Sequence, residues 1–161
     1  MLTDININVK SICFGCEDIE LIFGDTVVSC EVSYLKPEPF STLIYSLTAL
    51  NEEIVNLNYR TFHTFWADEP RGGWDIDFCR DLETDMVEFM IEYDNKQKGS
   101  ERIIKYWEFE VPYKDYKSAV INEGLRLLKK YGLGGFNRNW CDGDDTFPIN
   151  SFLMLLGSTS E

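Results

Sequence analysis

The chain has 161 residues, with 15 Lys+Arg against 28 Asp+Glu, one His, five Cys and a formal net charge of −13. That length suits one domain with a sizeable core, so 1–161 is read as a single unit. The acidic balance excludes a basic face for sequence-independent nucleic-acid binding or for adsorption to anionic lipid. No apolar run nears the roughly 18 residues of a membrane-spanning helix, and Met1-Leu2-Thr3-Asp4 lacks the basic and apolar segments of a secretory signal. A soluble, cytoplasmic protein is expected.

Period-two alternation dominates the chain. Ile5, Ile7 and Val9 alternate with Asn6 and Asn8; Ile19, Leu21 and Phe23 lead into a Gly24-Asp25 turn and then Val28, Cys30, Val32 and Tyr34, a hairpin signal. Pro39 fits the first turn of a helix, and Phe40, Leu43, Ile44 and Leu47 give it an apolar stripe. Four further strand-like runs follow, around Val55–Tyr59, Trp74–Phe78, Val87–Tyr93 and Trp107–Val111. Short connections between them suggest an antiparallel meander with one polar face.

After Pro112 a helix is expected from Asp115, a potential N-cap, to Tyr131, stopped by Gly132. A Gly-rich loop then leads through Phe136–Trp140 and Asp142-Gly143-Asp144-Asp145 to a last short helix near Ile149–Leu156. The fold class read from this order is α+β: an antiparallel sheet of about six to seven strands with two or three helices packed on one face.

Charge is unevenly spread. Residues 1–95 carry 5 basic and 19 acidic groups, whereas 96–138 carry 10 basic and 5 acidic. The excess falls on the polar sides of strands and on loops, notably Asp68, Glu69, Asp75, Asp77, Asp81, Glu83, Asp85, Glu88 and Glu92. Setting Asp75 and Asp77 beside Glu88 and Glu92 would place like charges across a sheet, at a cost in stability. A solvated acidic face explains this as solubility; a docking face explains it as steering toward a basic partner.

Motifs of known chemistry are sparse. Cys13-Phe14-Gly15-Cys16 matches C-x-x-C, but no second such pair exists to complete a zinc site. An alternating strand, rather than a helix, follows it, so the bland reading is two small apolar residues near a strand turn. Whether Cys13 and Cys16, or Asp142, Asp144 and Asp145, bind metal stays open at this point, and no cofactor is expected. His63 sits among Phe62, Phe65 and Trp66 and reads as a packed structural histidine rather than a base. No H-E-x-x-H, G-x-S-x-G or P-loop motif occurs. Trp66 and Trp74 flank an acidic Pro/Gly turn, which suggests an exposed loop with aromatic anchors; the alternative is two core rings around a hairpin connection.

The run Phe65–Phe78, an aromatic strand, a D-E-P-x-G-G turn and an alternating strand, resembles small acidic bacterial immunity proteins of polymorphic-toxin and contact-dependent inhibition systems. Trp107–Val111 with Pro112, leading into a helix that ends Lys130-Tyr131-Gly132, is similar in style. The resemblance is one of element pattern, spanning about 54–140. It implies a cytoplasmic, non-enzymatic protein that binds one toxin domain and blocks its active site; an acidic inhibitor suits a basic nuclease.

The expected partner is therefore a basic protein, met by Trp66, Asp68, Glu69, Trp74, Asp75, Asp77, Glu88 and Glu92, without direct nucleic-acid or membrane contact. Rival readings are an interaction module acting as a homodimer, a small carboxylate-using enzyme or ligand-binding protein, and an acidic mimic of DNA.

Overall fold

A computed structural model of the chain describes residues 3–33, 37–53, 56–68, 72–140 and 146–157. The first three strands, β1 (Ile5–Cys13), β2 (Cys16–Phe23) and β3 (Thr26–Ser33), form an antiparallel sheet in that order. The β1–β2 connection is the two-residue turn Phe14-Gly15, with φ of 50° and 76°. Positive φ at both positions matches the right-handed twist of the flanking strands.

Helix α1 (Pro39–Leu50) follows, with Pro39 at its first position and Glu38 as its N-cap. The Glu38 carboxylate accepts from the Phe40 and Ser41 amides, each at 2.8 Å, satisfying two donors that the first turn leaves open. Its stripe of Phe40, Leu43, Ile44, Leu47 and Leu50 is buried.

The second sheet is a four-stranded antiparallel meander of β4 (Tyr59–Ala67), β5 (Gly73–Asp81), β6 (Met86–Asp94) and β7 (Ile104–Pro112). Alternation gives it two unlike faces. The inner face carries Trp66, Trp74, Ile76, Phe78, Val87, Phe89, Ile91 and Val111, all buried. Phe23 from the first sheet meets it, edge-on to Phe89 and stacked on Phe109.

Helix α2 (Tyr113–Trp140) places Tyr116 against Phe78 and Phe89, and its hydroxyl shares a 2.6 Å hydrogen bond with Ser46 of α1. Helix α3 (Ile149–Gly157) closes the core through Phe152, which packs edge-on to Phe147. Helices and first sheet thus cover one face of the meander and leave the other to solvent.

The α+β class and the seven strands agree with the sequence reading, but the strands divide between two sheets. The first strand of the meander starts at Tyr59 rather than near Val55: Leu57 is exposed ahead of it, and Val55 lies outside the described residues. Helix α2 starts at Tyr113, so Asp115 sits inside its first turn instead of capping it. Gly132 (φ 68°, ψ 168°) does interrupt the helix, in a conformation nearly confined to glycine, yet the chain resumes helical geometry as far as Trp140. The Gly-rich stretch is therefore a kink rather than a loop.

Candidate functional site

The solvent-facing side of the meander is the most distinctive surface of the molecule. Its register puts Asp75 beside Glu92 and Tyr106, Asp77 beside Met90 and Glu108, and Cys79 beside Glu88 and Glu110. Neighbouring strands lie about 4.8 Å apart and same-face residues about 6.7 Å apart along a strand. Seven carboxylates, those of Asp75, Asp77, Asp81, Glu88, Glu92, Glu108 and Glu110, share this face, with Asp94 an eighth at its corner, and no Lys or Arg occupies any of its register positions on β4–β7.

Crowding shifts the titration of the groups on this face. A hydrogen bond with Glu108, partial burial, and the charges of Glu108 and Glu110 raise the Glu88 carboxyl above its ordinary range. Glu88 therefore holds its proton more readily than an isolated glutamate does. Desolvation and the charges of Glu108, Glu88 and Asp77 push the Tyr106 phenol up. The Cys79 thiol is raised by burial, Glu88 and Asp81. At one corner Asp94 departs from the pattern: Arg102 (2.8 Å) and the Lys96 amide hold it well below the usual carboxylate range.

Apolar and aromatic surface is interleaved with the charge. Tyr59, Phe65 and Tyr106 are exposed on this face, and Met90 is half-buried. His63 faces the same way, with Nε2 3.0 Å from Asp75 Oδ1, and stands in register with Asp77. His63, Asp75, Asp77, Met90, Glu92 and Tyr106 together line a shallow depression. Chemically, such a surface accepts hydrogen bonds from ammonium and guanidinium groups while aromatic rings and a thioether supply contact area.

Asp75, Asp77, Glu88 and Glu92 are therefore brought together as the sequence suggested, and Glu108, Glu110 and Tyr106 join them. The alternation of β7 carried a signal for Glu108 and Glu110, but their place beside Glu88 depends on strand pairing. His63 is a correction: it is exposed rather than packed, because it shares strand parity with Phe65 and not with Trp66.

The aromatic anchors are a second correction. Trp66 and Trp74 are direct register partners on the inner face and both are buried. Trp66 donates Nε1–H to Thr42 Oγ1 at 2.9 Å, and Trp74 packs on Tyr93 and Trp107. Apolar area of that size has more to gain inside than at a hairpin tip. Asp68 lies apart from the acidic face, 3.3 Å from the Tyr93 hydroxyl, and Glu69 falls outside the described residues.

Cys13 and Cys16 are register partners on either side of the Phe14-Gly15 turn, near a strand turn as the sequence suggested, and both are exposed. Asp142, Asp144 and Asp145 lie outside the described residues. Among the described residues no three His, Cys, Asp or Glu side chains are grouped so as to hold a metal ion, and no helix is long and apolar enough to cross a membrane. No family model matches the chain, and neither does any curated protein or solved structure.

Proposed function

We propose that this is a non-enzymatic binding protein of the immunity type, which uses the acidic face of its four-stranded sheet to occlude the active site of a basic toxin domain, a nuclease best fitting the charge. The observation that supports the reading is the set of seven carboxylates crowded on an open sheet face without a Lys or Arg among them. Like charges opposite one another cost stability, and a role in meeting positive charge explains why the chain carries that cost. Steering by the face speeds encounter, and Phe65, Tyr106 and Met90 supply the desolvated contacts that hold a complex.

The test is capture from the native host at low salt and again at about 0.5 M salt, where the screening length falls below about 5 Å. The wild-type protein is compared with Asp75→Lys/Asp77→Lys and with a control reversal at Glu52 and Glu53, exposed residues away from the face. A basic protein lost with the face reversal, retained with the control, and inhibited by the wild-type protein supports the proposal. Capture that ignores the face reversal, or the absence of any basic protein, overturns it.

A second reading is self-association through α3, where Leu153 and Met154 are exposed on an apolar helix. Light scattering separates the two: a dimer disrupted by Met154→Glu favours this one, and a monomer at high concentration removes it.

A further inference from the structure

Three carboxyl groups meet inside the protein, where α1 and α2 pack on the first sheet. Glu17 is 1% exposed, Glu38 3% and Glu123 4%. Glu17 shares the inward parity of Ile19 and Leu21 on β2 and pairs with Ile12 and Val32 in the neighbouring strands. Burying three carboxylates together is prohibitive unless each finds donors or gives up its charge.

Two of the three have donors. Glu38 accepts from the Phe40 amide, the Ser41 amide and the Ser41 hydroxyl, at the positive end of α1. Glu123 accepts from the Val9 amide at 2.5 Å and pairs with Arg126, whose guanidinium also donates to the Val9 carbonyl. Among the described residues neither oxygen of Glu17 has a hydrogen-bonding partner of good geometry. Its polar neighbours are the Glu38 carboxylate, the Phe40 amide already committed to Glu38, and the more distant charge of Glu123. A carboxylate has about four acceptor positions; Glu38 uses three, which leaves one for an incoming O–H.

We propose that Glu17 is held as the neutral acid and donates a hydrogen bond from its O–H to Glu38, which makes the seat of α1 on the first sheet a proton-dependent joint. The facing groups are Glu38 from α1 and Glu123 from α2, with Arg126 paired to Glu123, so among the described residues no cation balances a charge on Glu17. Burial and the charge of Glu38 push the Glu17 carboxyl in the same direction, well above its ordinary value. Ser41 ties the joint to the approach to α3, since its hydroxyl lies 3.0 Å from the Thr146 carbonyl.

The sign of the pH effect follows. Below the ordinary glutamate range Glu17 is protonated in both folded and unfolded chains and costs nothing. As pH rises the unfolded chain ionises first, so the folded state loses ground until Glu17 itself ionises.

The experiment compares the full-length wild type with Glu17→Gln, which keeps a donor toward Glu38 and cannot ionise. Both are unfolded in urea at pH 5.5, 6.5 and 7.5. The expected result is a wild-type unfolding constant that grows relative to the variant's by about tenfold per pH unit. Parallel curves overturn the proposal. Should Glu17→Gln fail to fold, the infrared spectrum of Glu88→Gln protein at pH 8 decides: a protonated-carboxyl C=O band supports the neutral acid, and its absence overturns it.

Discussion

Phe23 and Phe109 stack face to face across the two sheets, with ring centroids 4.0 Å apart and 3° between their planes. Phe109 faces inward between Glu108 and Glu110, which face out. The contact that joins the sheets therefore anchors the strand that completes the acidic face. In the proposed docking role such support would favour affinity, because a surface held by a packed core loses little freedom on docking.

Relieving the crowding at the centre of that face stabilises the protein. Glu88→Gln removes one of the two like charges, Glu88 and Glu110, that stand in direct register, and the expected gain at neutral pH is about 0.2–1 kcal/mol. The gain depends on pH in a defined sense. Folding raises the Glu88 carboxyl, so its ionisation costs the folded state more as pH climbs past the ordinary glutamate value of about 4.3. Thermal melting of both proteins at pH 4 and pH 7 is expected to show a difference that widens with pH.

Salt is expected to stabilise the free protein. Raising ionic strength from about 0.01 M to 0.15 M shortens the screening length from about 30 Å to about 8 Å and mutes repulsion among the seven carboxylates. The melting temperature should rise with NaCl, and the rise should shrink in a Glu88→Gln/Glu92→Gln variant. An unchanged rise would assign the salt effect to charges elsewhere.

The Trp66 indole is sensitive to its single hydroxyl partner. Thr42 Oγ1 accepts from Trp66 Nε1 and donates to the Pro39 carbonyl at 2.7 Å. Thr42→Val leaves the buried indole N–H unpaired and should cost about 1–3 kcal/mol. Thr42→Ser should recover most of it, as read from urea midpoints.

Gly124 sets the seating of α3. A Cβ at this position would lie 2.5 Å from Phe152 Cε2. Gly124→Ala gains about 1 kcal/mol in helix propensity but forces a fully buried ring to move, at about 1–3 kcal/mol for overpacking. The net expectation is a loss of stability, with amide exchange rising first in Phe152–Leu156. Gly134→Ala, also helical and facing only the flexible end of Arg138, serves as the comparison.

Much of the meander was legible from parity. Trp74, Ile76 and Phe78 alternate with Asp75 and Asp77, and Val87, Phe89 and Ile91 with Glu88 and Glu92, and the structure keeps that division. The same parity set Trp66 on the side of Thr64, opposite His63 and Phe65, so the burial of Trp66 and the exposure of His63 were implicit in the alternation. Aromatic residues cluster around the turn, where composition and strand period point in opposite directions. Glu17 was legible in the same way, two residues before Ile19 on an inward-facing side. What parity could not supply was pairing across distant sequence. The split into two sheets depends on α1 intervening between β3 and β4 and on Phe23 reaching Phe89 and Phe109. The junction of Glu17, Glu38 and Glu123 likewise joins three elements that sequence order keeps apart.

The alternation of β5 and β6 also governs which pairings the chain can reach at all. A slip of one residue would drive Asp75, Asp77, Glu88 and Glu92 toward the core and bring Ile76, Phe78, Phe89 and Ile91 to the surface. Like charges in register weaken the native pairing by tenths of a kcal/mol, at about 0.2–1 for each pair. Burying one unpaired carboxylate costs several kcal/mol, so the misaligned hairpin suffers far more than the aligned one. The acidic stripe thus acts as an alignment key during folding, and its repulsion keeps the open faces of two copies from laminating into an aggregate.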